Sequence, residues 1–172
     1  MADYFTNFSL VLLLKDEAQK QYALDLHKEA IAIAQRDGEP IPKSFPESLE
    51  THLEEWCFDI EKENRGVWLH SQYGGIDAAC AFIQHLLVKF NPDGVVTFEW
   101  SHDCTKPRID AYGGGAAIVT ANKIKTMNTA DWIRANDPAE PRKHLFSTET
   151  HLCIHCGIHA DDDLVENQPC TH

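Results

Sequence analysis

Two stripes of apolar residues at helical spacing, each preceded by a strand-like run and parted by two alternating segments, predict an α+β fold. The order is β-α-β-β-α-β with at least one further strand behind it. That order is the split β-α-β of a ferredoxin-like sandwich, an antiparallel sheet with two helices on one face. A segment rich in cysteine and histidine closes the chain and stands apart from this body. The expected division is an α+β domain over 1–135, a linker over 136–150 and a zinc-binding tail over 151–172.

Each element has its own signal. Residues 5–14 read as a strand buried on both faces over its second half, because Leu10 to Leu14 is wholly apolar. Asp16 and Gln19 then form the D-x-x-Q signature of a capping box. The helix they open carries Tyr22, Ala23, Leu26, Ala30 and Ile33 on one stripe, and Arg36-Asp37-Gly38 ends it. Three prolines between Glu39 and Pro46 mark a linker, and the acidic stretch 46–55 is short-helix material.

Residues 56–60 and 66–72 alternate as strands, with 61–65 as their connection. Val67, Leu69 and Ser71 share one face; Trp68, His70 and Gln72 share the other. From Ile76 to Phe90 the apolar residues recur at core-helix spacing, and Asn91-Pro92-Asp93-Gly94 stops that helix. Strands are expected over 95–100 and 116–121, and a short helix anchored by Trp132 over 129–135. Cys57 and Cys80 read as core residues, and His27 and His85 as solvent-facing positions on their helices.

The charge balance narrows the function classes. Of 172 residues, 43% are hydrophobic and 24% charged, which is globular composition. Fifteen Lys and Arg face 27 Asp and Glu, a formal net charge of −12. A nucleic-acid binder needs surplus cations to displace phosphate counterions, so that role is disfavoured, as is attraction to anionic membranes. An acidic surface favours instead a protein partner with a basic surface. The best apolar run, Phe8 to Leu14, falls far short of the roughly 20 residues of a spanning helix. Asp3 stands before that run where a secretory signal would carry basic residues. The expected location is a reducing cytoplasm, where the six cysteines are not disulfides.

The tail holds the clearest chemical motif. It reads His151-Leu-Cys153-Ile-His155-Cys156-Gly157-Ile-His159 and ends Cys170-Thr-His172. A C-x-x-C-G turn sets two thiolates on one side of a tight loop, and Zn²⁺ needs two more ligands to complete a tetrahedron. Cys153, Cys156, Cys170 and His172 are the candidate set, with His151, His155 or His159 as alternative fourth ligands. Three thiolates and an imidazole close the coordination sphere, which makes the expected metal structural. Iron could occupy the same thiolates. A redox pair and an unstructured tail are the competing readings.

The second candidate is the stretch Trp100-Ser-His102-Asp103-Cys104-Thr-Lys106-Pro-Arg108-Ile-Asp110-Ala-Tyr112-Gly-Gly-Gly115. Cys104 near His102 suggests a nucleophile and its base; Lys106, Arg108 and the glycines suggest an anion cradle. The plainer reading is a tight strand entry at the glycines with Arg108 and Asp110 paired. His70 joins His102, Cys104, Lys106 and Arg108 as a possible ligand or partner surface.

Residues 66–121 carry a resemblance. The runs G-V-W-L-H, I-D-A-A-C-A-F-I-Q-H-L-L and F-E-W-S-H-D-C-T-K-P-R-I-D-A-Y-G-G-G-A-A-I-V-T-A, with the C-x-x-C-G tail, resemble a family of uncharacterised bacterial and phage (mobile-element) proteins. The resemblance implies an accessory role and transfers no catalytic residue. The expected function is therefore non-enzymatic protein–protein binding, with inhibition of a host nucleic-acid-handling complex as its extension. The alternative is a small-molecule or anion site, or an enzyme, built on the His102–Arg108 loop.

Overall fold

The computed structural model describes residues 2–36, 40–106, 111–136 and 152. The chain divides into two compact units after Ala130. In the first, β1 (Tyr4–Leu13), α1 (Glu17–Ala34), α2 (Glu47–Glu50) and a single 3-10 turn at Leu53–Glu55 come before β2 (Asp59–Glu63) and β3 (Gly66–Ser71). There follow α3 (Ile76–Phe90), β4 (Val95–Cys104), β5 (Gly113–Thr120) and β6 (Ile124–Asn128). A further helix, α4 (Thr129–Asn136), begins directly after β6. The strands form one sheet in the order β2-β3-β1-β4-β5-β6, every neighbouring pair antiparallel.

The sequence signals act as elementary chemistry requires. Asp16 Oδ1 accepts the Gln19 N–H at 2.9 Å, and Gln19 Oε1 returns to the Lys15 N–H at 2.9 Å. Two otherwise unpaired donors at the start of α1 are thereby satisfied. At the start of α3 the chain turns through Gly75 at φ 75°, a left-handed conformation that glycine adopts without steric cost. A side chain there would also press on the Glu55 carbonyl and the Cys57 sulfur. The α3 stripe is as expected: Ala79, Cys80, Ile83, Leu86 and Leu87 are all buried.

One core lies on one side of the sheet. Phe8 and Leu12 of β1, Val67 and Leu69 of β3, Phe98 of β4, and Ala117 and Val119 of β5 pack with the buried residues of α1 and α3. Below α1, Trp56, Phe58 and Phe82 surround His27 at ring-centroid distances of 5.0–6.3 Å.

Several expectations are corrected. The second half of β1 is buried on one face only: Leu12 is 3% exposed, whereas Val11 and Leu13 are 44% and 62% exposed. An all-apolar run does not reveal its period, and the antiparallel sheet keeps the alternation. The connection of β2 to β3 is the two-residue turn Asn64-Arg65, with Glu61 to Glu63 already in the ladder. The first strand segment starts at Asp59, while Trp56 and Phe58 point into the core from the approach to it. β6 was not expected; its Ile-Lys-Thr-Met-Asn run has one half-buried apolar residue and edge-strand chemistry.

His27 and His85 do not face solvent. His27 is buried, and its Nε2–H donates to the Phe58 carbonyl at 2.8 Å. Burial pulls its pKa below the ordinary value, against a smaller opposing effect of that hydrogen bond. His85 is half-buried with its Nε2 2.8 Å from the Tyr22 hydroxyl, and burial lowers its pKa as well, with Lys89 adding to the shift. Cys80 is a core residue, its thiol pushed up to about 12 chiefly by burial. Cys57 is exposed, its Sγ–H directed at the Tyr73 carbonyl 3.6 Å away.

Candidate functional site

The stretch from Trp100 to Gly115 contributes the end of β4 and the start of β5, antiparallel neighbours in the sheet. β4 runs on to Cys104, so His102 and Cys104, two residues apart, share the helix-side face of the sheet. His102 pairs with Thr6 on one side and Gly113 on the other. Its Nδ1 lies 3.0 Å from Thr6 Oγ1, which fixes the ring. Cys104 lies opposite Tyr4 and is only 7% exposed. Asp103 Oδ1 accepts the Cys104 N–H at 2.7 Å. Lys106 is exposed, and Arg108 lies outside the described residues.

The three glycines are part of β5. Their function is clearance: a Cβ on Gly115 would lie 2.2 Å from both the Trp100 ring and the Met127 carbonyl, and one on Gly114 would lie 2.2 Å from the Trp100 carbonyl. The Gly114 N–H donates to Thr129 Oγ1 at 3.0 Å. Close strand approach and the Trp100 ring account for Gly114 and Gly115, which agrees with the plainer expectation of a tight strand entry at the glycines.

An open cleft of about 280 Å³ lies at this end of the sheet, where α4 begins. Thr6, His102 and Gly113 contribute to its lining, with Tyr4, Tyr112 and Asn128 around them. Its polar groups are held in place: Thr6 on His102, Thr129 on Gly114, and Asn128 Oδ1 on the Ala130 N–H at 2.9 Å. Cys104 does not line it. The arrangement can orient a small polar molecule by hydrogen bonds.

His70 is elsewhere. It pairs with Ser9, and alternation puts it on the sheet face opposite His102 and Cys104. There its ring stacks on Trp68 at 3.9 Å between centroids, and Nε2 is 3.6 Å from the Glu61 carboxylate. Trp68 Nε1–H donates to Ser9 Oγ at 2.8 Å. A nucleophilic site on His70, His102 and Cys104 needs one pocket and an accessible thiol. The strand register separates the first from the other two, and burial closes off the thiol.

Sequence reasoning missed Tyr4, Thr6, Asn128 and Thr129. They come from strands and a helix far apart in the chain, joined to His102 only by ladder pairing. No local pattern marks the strand that carries Asn128, since residues 124–128 are apolar only at Ile124 and Met127, three positions apart. The metal candidates Cys153, Cys156, Cys170 and His172 lie outside the described residues. Among the described residues no three His, Cys, Asp or Glu side chains gather as a metal site. No described helix is long and apolar enough to cross a membrane. Comparison with protein-family models, curated proteins and solved structures finds no match for the chain.

Proposed function

We propose that this chain is a non-enzymatic binding protein whose partner is a protein with a basic surface. The observation that carries the reading is the separation of His70 from His102 and Cys104 across the sheet, with Cys104 buried. Among the described residues the His70 imidazole and the buried Cys104 thiol do not meet, while a net charge of −12 favours association with cationic surfaces. The β2-β3-β1-β4 order with two long helices over one face supports a ferredoxin-like body, extended by β5 and β6. In the tail, Cys153, Cys156, Cys170 and His172 would hold a structural Zn²⁺, to which three thiolates and an imidazole are suited. The role that fits these features is an accessory protein of a phage or mobile element, cytoplasmic in the host. There it would inhibit or modulate a complex that handles nucleic acid.

One experiment tests the binding and zinc readings together. The full chain and its Cys153→Ser/Cys156→Ser variant are assayed for metal content and for salt-dependent retention of basic host proteins. The expected result is about one zinc in the native chain, none in the variant, and a defined partner released as salt rises through the physiological range. Retention of no protein at any salt would sink the binding reading, and a metal-free native chain the zinc reading.

A second reading rests on the cleft. Its fixed His102 suits a small polar ligand, with Lys106 and Arg108 close to it in sequence as candidate partners for an anionic one.

A further inference from the structure

We infer that the sheet face opposite α1 and α3 is the docking surface, and that its occupant is a cationic amphipathic segment of the partner. This rests on the proposed basic partner and names where it sits. Strand alternation sends Val11, Leu13, Val95, Ile118 and Met127 to this face, each between 44% and 63% exposed. Trp68 adds a half-buried ring beside Val11, its register partner. Scattered apolar residues on a surface are ordinary, but these five lie on neighbouring strands of one face.

The charges on the same face decide the occupant. Asp59, Glu61 and Glu63 project from every second position of β2, about 6.6 Å apart along the strand, and Glu99 and Asp103 follow from β4. Lys125 is the one Lys or Arg that alternation places with them among the described strands. Apolar anchors with carboxylates along the β2 edge and on β4 between them fit a segment with leucine-like side chains on one side and lysine or arginine on the other. An anionic membrane or a nucleic acid would be repelled. A second copy of the chain, with its net −12, brings like charge to the face, and the stretch from Asp137 onward is acidic too, Asp161-Asp162-Asp163 included.

The test uses the full chain and three synthetic peptides: a leucine–lysine amphipathic helix about four turns long, the same peptide with glutamate for lysine, and oligolysine. Titration calorimetry gives affinities, and amide and methyl shifts give the location. The leucine–lysine peptide is expected to bind, the glutamate peptide not at all, and oligolysine about tenfold more weakly. Val11→Ser/Ile118→Ser and Glu61→Lys/Glu99→Lys should each weaken binding about tenfold. Glu47→Lys/Glu54→Lys makes the same charge change on the helix layer and should cost less than about threefold. Equal losses in the two charge-reversed variants, or shifts confined to the helix layer, would overturn this surface and leave a basic partner standing. Failure of every cationic peptide to bind would overturn both. Concentration-dependent self-association through Val11 and Ile118 would assign the face to a second copy and overturn the inference.

Discussion

The two faces of the sheet are made by the same strands from similar residue types, yet they have opposite fates. On one, Phe8, Leu12, Leu69 and Val119 disappear beneath α1 and α3; on the other, Val11, Leu13, Ile118 and Met127 stay exposed. Within Leu10 to Leu14, neighbours of equal hydropathy differ in exposure by more than half: Leu12 is 3% and Leu13 62% exposed. Hydrophobicity alone does not assign a face. Pairing and the placement of helices do.

The widest gap between the faces should appear in stability. Phe82 is fully buried against Trp56 and Phe58, so Phe82→Ala should destabilise by about 3–5 kcal/mol in urea unfolding. A loss below about 1 kcal/mol would mean that this core is not the one described.

A smaller effect lies at the polar group inside the covered face. Burial holds His27 below its ordinary pKa of 6.5, so the folded chain favours the neutral ring. The stability this gives is complete above that value and is lost as pH falls through it toward the folded pKa. His85 has a shift of the same sign and adds to the trend. The urea midpoint should therefore drop between pH 7 and pH 5.5, and His27→Gln should flatten part of that drop. An unchanged slope in the variant would remove His27 from the account.

The smallest effect belongs to the open face. Leu13→Ser should shift stability by no more than about 0.5 kcal/mol, since most of its side chain is already in water. A cost near that of Phe82→Ala would show that Leu13 is covered in solution.

How far the sequence could be read follows the same division. Elements with a local cause were legible: the Asp16–Gln19 cap, the α3 stripe, the stop at Asn91-Pro92, the Val67–Ser71 alternation. What depended on distant partners was not. His27 looked like a surface residue because its cage, Trp56, Phe58 and Phe82, comes from other elements. The glycines at 113–115 read as a tight strand entry, but what they clear space for was hidden, because Trp100 is across a hairpin. One wall of the cleft was legible in the stretch that holds His102 and Tyr112; the other was not, since Thr6 and Asn128 reach it only through the ladder.

The charged edge of the sheet has a consequence of its own. β2 offers its outer backbone groups to any strand that approaches, and open ladders of this kind seed fibrils. With Asp59, Glu61 and Glu63 alternating along it, another β2 arriving edge-on would stack carboxylate against carboxylate. The acidity of this short strand then acts as a guard on colloidal behaviour, keeping the ladder finite when the protein is crowded.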